Sequence, residues 1–377
     1  MLQLGSWELR WYGALFAVSF LLGQQIGRYM WSQEGKNLAY LDVAMVYVFL
    51  GTMIGARLGH VLFYDFAYFS QHPLEIFLPF TFEPTFKFTG YQGLASHGAA
   101  IGLLIAVYIY VNYVIDLRLW PPKLTIKKQR REGQSYLWFM DRLVIVGILA
   151  GCFIRIGNFM NSEIIGKPTH SRYGVLFARD VTQQLQASSR AIQKVTITKS
   201  KALLPNDDNY QPVTLAIAFK HGSFEETAIR NFLENDVKRS LVKEPHISRH
   251  LAEKQDQPLH YELSKNKRGA YVAHINTLGI VRHPAQLYEA FSSLVLFFLL
   301  FYRWSTQKGL LRPGEMIGLF GIIVFGLRIF YEVFKESKVV WAGSWGIPRV
   351  PQLLSFPLIV AGILLFIYSR KSSKVQD

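Results

Sequence analysis

The chain alternates long apolar runs with shorter polar intervals. Apolar residues dominate Trp11 to Met30, Leu41 to Phe63, Gly98 to Ile115, Leu137 to Gly157, Ala285 to Tyr302, Met316 to Phe334 and Leu353 to Tyr368. A helix needs about 20 apolar residues to cross a hydrocarbon core. The pattern therefore predicts an all-α polytopic membrane protein with about seven transmembrane helices. The third and fifth runs are short for a full span. The first is too long for the core of a secretory signal and has no small-x-small cleavage site, so it is expected to stay as a span.

The polar intervals set the orientation. Leu117 to Tyr136 carries Arg118, Lys123, Lys127, Lys128, Arg130 and Arg131; Arg303, Lys308 and Arg312 follow the fifth run; Arg370, Lys371 and Lys374 end the chain. With seven spans these basic segments fall on one side, which the positive-inside rule makes cytoplasmic. The amino terminus is then outside and the carboxyl terminus cytoplasmic. Three irregular segments lie on the outer side. Residues 65–96, rich in Phe, Pro and Gly, read as a surface or re-entrant piece. Residues 335–349, with Trp341, Trp345 and Pro348, read as an aromatic-belt loop. The long polar stretch after Gly166 has a strand pattern at Val213 to Phe219, an amphipathic helix from Phe224 to Val242 and a second strand pattern at Tyr271 to Ile275. The expected organisation is helices 1–4 within 1–166, an inserted small α/β domain at 167–280 on the outer side, and helices 5–7 within 281–377. The insert is expected to tolerate substitution better than the spans. No internal repeat or inverted half is visible.

Composition agrees with this picture. The 377 residues are 50% hydrophobic and 15% aromatic, and mean hydropathy is +0.17. The net charge of +15 is carried between the apolar blocks, so it belongs to membrane loops and not to a nucleic-acid surface. The single cysteine, Cys152, lies inside an apolar run and excludes an internal disulfide framework.

Polar side chains that do not belong in lipid are candidates for chemistry. The fourth run ends in Arg155-Ile-Gly157-Asn158-Phe-Met-Asn161-Ser-Glu163-Ile-Ile-Gly166. A guanidinium at hydrocarbon depth costs about 2.5–3.5 kcal/mol on insertion scales. The plain alternative is an arginine that snorkels to the interface. His97 begins the third span between glycines; it is either a structural hydrogen-bonder or a proton acceptor near neutral pH. Arg282-His283-Pro284-Ala-Gln286-Leu-Tyr288-Glu289 opens the fifth span. Arg155 and Arg282 flank the outer insert, and two guanidiniums at one interface suit a phosphate or carboxylate, or else lipid headgroups. Arg328 and Glu332 are spaced to pair on one helix face. Tyr12, after Arg10 and Trp11, is either an aromatic-belt residue or a headgroup ligand. Arg57, late in the second run, has no evident partner.

Together these segments resemble the prolipoprotein diacylglyceryl transferase family of bacterial inner membranes. The resemblance rests on Gly93-Leu-Ala-Ser-His97-Gly98, on Arg155 to Gly166, on Arg282 to Glu289, and on Arg328 and Glu332 followed by Gln352-Leu-Leu-Ser355-Phe-Pro357. It departs from the family pattern at Arg10, at Ala99 and at Ile154, where glycine is usual. The insert is also longer than the usual family arm.

The resemblance implies transfer of the diacylglyceryl group of phosphatidylglycerol to the lipobox cysteine of a prolipoprotein, with glycerol phosphate leaving. It places the protein in the bacterial inner membrane with its site facing the periplasm. It implies His97, Arg155, Arg282 and Tyr12 in catalysis. Asn158, Asn161, Glu163, Gly166, Gln286, Tyr288, Glu289, Arg328 and Glu332, with Arg155, are expected to bind substrate. No metal, cofactor or nucleic acid is implied; membrane lipids and the precursor signal peptide are the expected partners. A thiol has a pKa of ~8.5 and attacks as thiolate, so a base is needed. The leaving phosphate needs cations in a low-dielectric site. A CDP-alcohol phosphotransferase would need spaced aspartates for magnesium, which the runs lack. A transporter or lipid-binding protein would show paired broken helices.

Overall fold

The computed structural model describes the chain apart from residues 1, 5–6, 10, 79, 83–85, 89–92, 119–122, 172, 201–209, 223–224, 337–349 and 373–377. Arg10, the belt residues Trp341, Trp345 and Pro348, and the predicted helix start at Phe224 lie outside the described residues. In chain order the elements are β1 (Leu2–Leu4), β2 (Trp7–Leu9), α1 (Trp11–Gln33), α2 (Leu38–Phe63), α3 (Phe66–Gln71), β3 (Phe80–Thr81), β4 (Lys87–Phe88), α4 (Ser96–Asn112), β5 (Tyr113–Arg118), β6 (Lys123–Lys128) and α5 (Tyr136–Met160). Then come α6 (Arg179–Ser188), β7 (Ile192–Lys199), β8 (Tyr210–Phe219), α7 (Glu226–Phe232), α8 (Lys238–Lys243), α9 (Pro245–Ser248), β9 (Tyr261–Lys265), β10 (Tyr271–Ile280), α10 (Ala285–Gln307), α11 (Glu315–Tyr331) and α12 (Val350–Ser372).

Each apolar run falls on a helix. Among the described residues, four helices are long and apolar enough to cross a membrane: Leu38–Phe63, Tyr136–Met160, Ala285–Leu310 and Gln352–Lys371. Leu62, Phe63, Ile101, Ile105, Phe291, Phe298 and Leu364 are 53–71% exposed. Such apolar outer faces suit hydrocarbon, which solvates them as well as a core would.

Two predicted ends are corrected. The third run does not continue as helix to Ile115. Its last residues, aromatic and β-branched, pair antiparallel with β6, Tyr113 opposite Lys128 and Ile115 opposite Ile126. The sixth helix closes at Tyr331, not Phe334, because Val333 and Phe334 donate to the carbonyls of Phe330 and Tyr331 in tight turns.

The chain divides into two compact units: Met1–Ala17, Gly151–Leu294 and Leu327–Ser355 form one, and Val18–Ala150, Val295–Gly326 and Phe356–Asp377 the other. In the second unit α2 and α4 touch along glycines. A Cβ on Gly98 would lie 2.3 Å from the Gly55 carbonyl oxygen, and one on Gly102 2.2 Å from that of Gly51. Only glycine allows backbones so close.

Polar groups of the second unit are buried in pairs. Glu34 and Arg142 meet at 2.8 Å, both 2% exposed. Trp138 Nε1 and Trp304 Nε1 also donate to Glu34, at 3.0 and 2.6 Å. Asp141 caps α11 by accepting from the Gly314 and Ile317 amides at 2.7 and 2.9 Å. Arg57 acquires the partners its sequence position did not reveal. Its guanidinium donates to the carbonyls of Ile76 and Glu75 at 2.7 and 2.6 Å and lies over the Phe69 ring, holding the segment after α2 in place.

The first unit contains an antiparallel sheet of order β7-β8-β10-β9. Val213, Leu215, Ile217 and Phe219 alternate inward on β8 and Ala273 and Ile275 on β10. Val181, Leu185, Ile229, Leu233, Val237 and Leu241 join them in one core. The period-two pattern thus buries one sheet face under helices. The predicted helix ending at Val242 is present in three pieces: α7, a π-turn over Leu233–Val237, and α8.

Candidate active site

The site-bearing segments of the first unit converge on the loop that leaves α5. Ser162 and Ile164 adopt φ values of 56° and 55°, a left-handed conformation costly for residues other than glycine. Surrounding bonds hold it. The Glu163 amide donates to the Asn158 carbonyl at 2.8 Å. The Glu163 carboxylate accepts from Asn158 Nδ2 at 2.8 Å and Asn161 Nδ2 at 3.2 Å. Gln286 Nε2 donates to the Glu163 carbonyl at 2.5 Å, and Arg179 Nη1 to the Asn161 carbonyl at 2.9 Å.

Backbone pairing then joins three distant stretches. Lys167 donates to Phe334 at 2.8 Å, His283 to Lys167 at 3.0 Å, and Arg282 and Val175 exchange both bonds at 3.0 and 2.9 Å. Gly166 stands where a Cβ would meet the His283 carbonyl oxygen at 2.2 Å, so the crossing requires glycine.

The charged side chains form a chain of contacts. Arg155 Nε lies 2.6 Å from Glu289 Oε2. Lys335 Nζ lies 2.6 Å from Glu289 Oε1 and 3.1 Å from Glu332 Oε1. Arg155 keeps 28% of its side chain exposed, and its Nη1 reaches Asn158 Oδ1 at 3.4 Å. Tyr12 lies against the same helix end, its Cα 3.1 Å from where a Gly157 Cβ would be. The predicted Arg328–Glu332 pair is absent from the ion pairs of the described residues. The Glu332 carboxylate takes Lys335 instead, and Arg328 is exposed. Gln352 Nε2 donates to the Ile329 carbonyl at 3.1 Å.

Arg282 is 2% exposed and largely occupied. Nη1 donates to the Gly166 carbonyl at 2.9 Å and pairs with Glu336 at 3.0 Å; Nη2 donates to the Arg249 carbonyl at 2.6 Å. A guanidinium has five N–H donors. Among the described residues the Nε–H is buried without a partner, and so is the Gln286 Oε1 acceptor. Such groups are costly to leave unmade.

His283 Nδ1 lies 3.2 Å from the Tyr288 hydroxyl, and both rings pack on Phe334. Burial, and then the charge of Lys167, hold His283 below the ordinary imidazole pKa. His97 belongs to the second unit. It is the second residue of α4, exposed, with its ring 5.7 Å from those of Phe63 and Tyr64. Its helix start is fixed by the Gly98–Gly55 crossing and by the Ala95 amide donating to Ala56 at 2.9 Å.

Lys335, Glu336, Arg249 and Arg179 escaped sequence reasoning. Lys335 had one local signal, its spacing of three from Glu332; the others have none.

The order and content of these segments agree with one family. The model described as prolipoprotein diacylglyceryl transferase matches residues 1–368. The chain belongs to the prolipoprotein diacylglyceryl transferase family. A Tolumonas auensis protein named phosphatidylglycerol–prolipoprotein diacylglyceryl transferase is 30% identical over 371 residues, covering 98% of this chain and 95% of its own length. Proteins of the same name from Bacteroides fragilis and Porphyromonas gingivalis are 26% and 28% identical, covering 97% of this chain and 91% and 90% of their own lengths. Membership makes the protein a transferase, and its apolar helices make it a membrane protein.

Proposed function

We propose that the protein transfers the diacylglyceryl group of phosphatidylglycerol to a lipobox cysteine thiol, the first step of bacterial lipoprotein maturation. The names of its full-length relatives support this reaction over a non-enzymatic lipid-binding role. The basic intervals favour seven spans in the inner membrane, with the amino terminus and the site on the periplasmic side and residues 167–280 as an inserted domain there.

His97 takes the thiol proton as general base. The thiolate sulfur forms a bond to the terminal glycerol carbon of the diacylglyceryl group. The bond from that carbon to the phosphate oxygen breaks, and glycerol phosphate leaves with the electron pair. Arg155 and the free edge of Arg282 stabilise the charge growing on the leaving phosphate. Asn158, Asn161 and Glu163 hold Arg155 and its loop, with Gly166 permitting the close crossing. Gln286 and Tyr12 orient the headgroup, with Tyr288, Glu289, Arg328 and Glu332 around it.

One observation carries the site reading: the buried, unpartnered Nε–H of Arg282. A phosphate oxygen satisfies it, and a glycerol hydroxyl satisfies the Gln286 acceptor. The test is mass spectrometry of a lipobox peptide incubated with purified protein and phosphatidylglycerol. The peptide should gain one diacylglyceryl mass on its cysteine, and a cysteine-to-serine peptide should gain none. An unmodified cysteine peptide with active control enzyme would refute the assignment.

A further inference from the structure

The first turn of α6 holds two of the site segments at once. Arg179 Nη1 donates to the Asn161 carbonyl at 2.9 Å. The next residue, Asp180, accepts from Arg249 Nη2. Arg249 in turn offers its carbonyl to Arg282 Nη2 at 2.6 Å. The Arg249 guanidinium also donates through Nε to His250 Nε2 at 3.2 Å, and His250 is 1% exposed. Backbone bonds fix the residues just beyond Arg249: Ile280 donates to the His250 carbonyl and Ala252 to the Leu278 carbonyl, both at 2.8 Å. The Arg249 carbonyl therefore has little freedom once its side chain is tied to Asp180.

We infer that Asp180, acting through Arg249, is a positioning residue for Arg282. This rests on the reading of Arg282 as a phosphate-binding group. A carboxylate on α6 holds the Arg249 side chain; the Arg249 carbonyl then holds one edge of the Arg282 guanidinium, opposite the Gly166 carbonyl and Glu336. The unpartnered Nε–H is thereby aimed. On this proposal α6, inside the polar insert, helps to position Arg282, and Asp180 is a position in that insert where substitution costs activity.

A double-mutant cycle tests this. The full-length protein, Asp180→Asn, Arg282→Lys and the double variant are assayed for diacylglyceryl transfer from phosphatidylglycerol to a lipobox peptide, with kcat and lipid KM measured separately. Asp180→Asn should lower kcat about tenfold in the parent, and less than about twofold once Arg282 is already lysine. The lipid KM should stay within about twofold of the parent's, because the brace aims a charge needed at the transition state. Asp180→Glu, which keeps the charge but displaces it, is the second variant should Asp180→Asn not fold. It should show a smaller loss with the same dependence on Arg282. Equal fold-losses in both backgrounds, or full activity in the folded Asp180 variants, would overturn the proposal alone. A parent that transfers nothing would overturn the functional reading and this inference with it.

Discussion

Arg155 and Glu289 meet at 2.6 Å, and the second oxygen of the same carboxylate holds Lys335 at the same distance. One carboxylate at the start of α10 thus sets cations from the end of α5 and from the stretch after α11. Removing the carboxylate leaves two neighbouring cations facing one another, which disfavours both. Glu289→Gln should therefore lower transfer and weaken thermal stability together. Arg155→Lys keeps the charge and loses the planar fork, so it should cost about 10²–10³ in kcat, the scale of one lost oxyanion-type donor. Steady-state kinetics beside thermal midpoints check both; a fully active Arg155→Lys would remove Arg155 from the charge-stabilising role.

His97→Gln should leave phosphatidylglycerol binding nearly intact and slow transfer. The slowing should shrink as pH rises past ~8.5, where the acceptor thiol ionises unaided. Lipid binding measured separately from the pH–rate profile decides this. Lost lipid binding, or a deficit constant at all pH values, assigns the proton transfer to another group.

The proposed orientation puts the hairpin of β5 and β6 in the cytoplasm. With Cys152 replaced by alanine, Lys127→Cys should react with an impermeant maleimide in inside-out vesicles and stay unlabelled in right-side-out ones. Cys152 is buried, so its removal should leave the labelling pattern intact. The reverse pattern would invert the topology.

His283 gives a pH dependence with a definite sign. Burial, then Lys167, depress its folded-state pKa below the ordinary 6.5. A depressed pKa contributes stability that is present above the unfolded value and lost as pH falls through the folded one. The parent should therefore lose thermal midpoint on acidification below 6.5, and His283→Asn should lose less over the same range. Parallel curves for the two proteins would show that His283 does not titrate against folding.

The long helices were legible because a long apolar run leaves the backbone only the helix in hydrocarbon. The end of the third run was not, since Tyr113-Val-Ile is as compatible with a strand as with a helix, and pairing with residues 123–128 decided it. Arg155 to Gly166 and Arg282 to Glu289 stood out because polar groups at the ends of apolar runs are expensive. Their supports did not. Arg249 touches Arg282 through its carbonyl and Asp180 through its side chain, which no local spacing encodes. Arg328 and Glu332 had helical spacing for a pair, yet Lys335 lies within reach of both Glu332 and Glu289 and so links two carboxylates. Glu34 and Arg142, far apart in sequence, were equally invisible.

The central claim is carbon–oxygen cleavage of phosphatidylglycerol with capture of the carbon by a thiol. The most direct measurement follows both products in one reaction, with headgroup-labelled phosphatidylglycerol and a lipobox peptide. The account predicts one glycerol phosphate released for each thioether-linked peptide formed, and neither product when the peptide cysteine is serine. Glycerol phosphate released without peptide modification, or a modified peptide retaining the phosphate label, would contradict it.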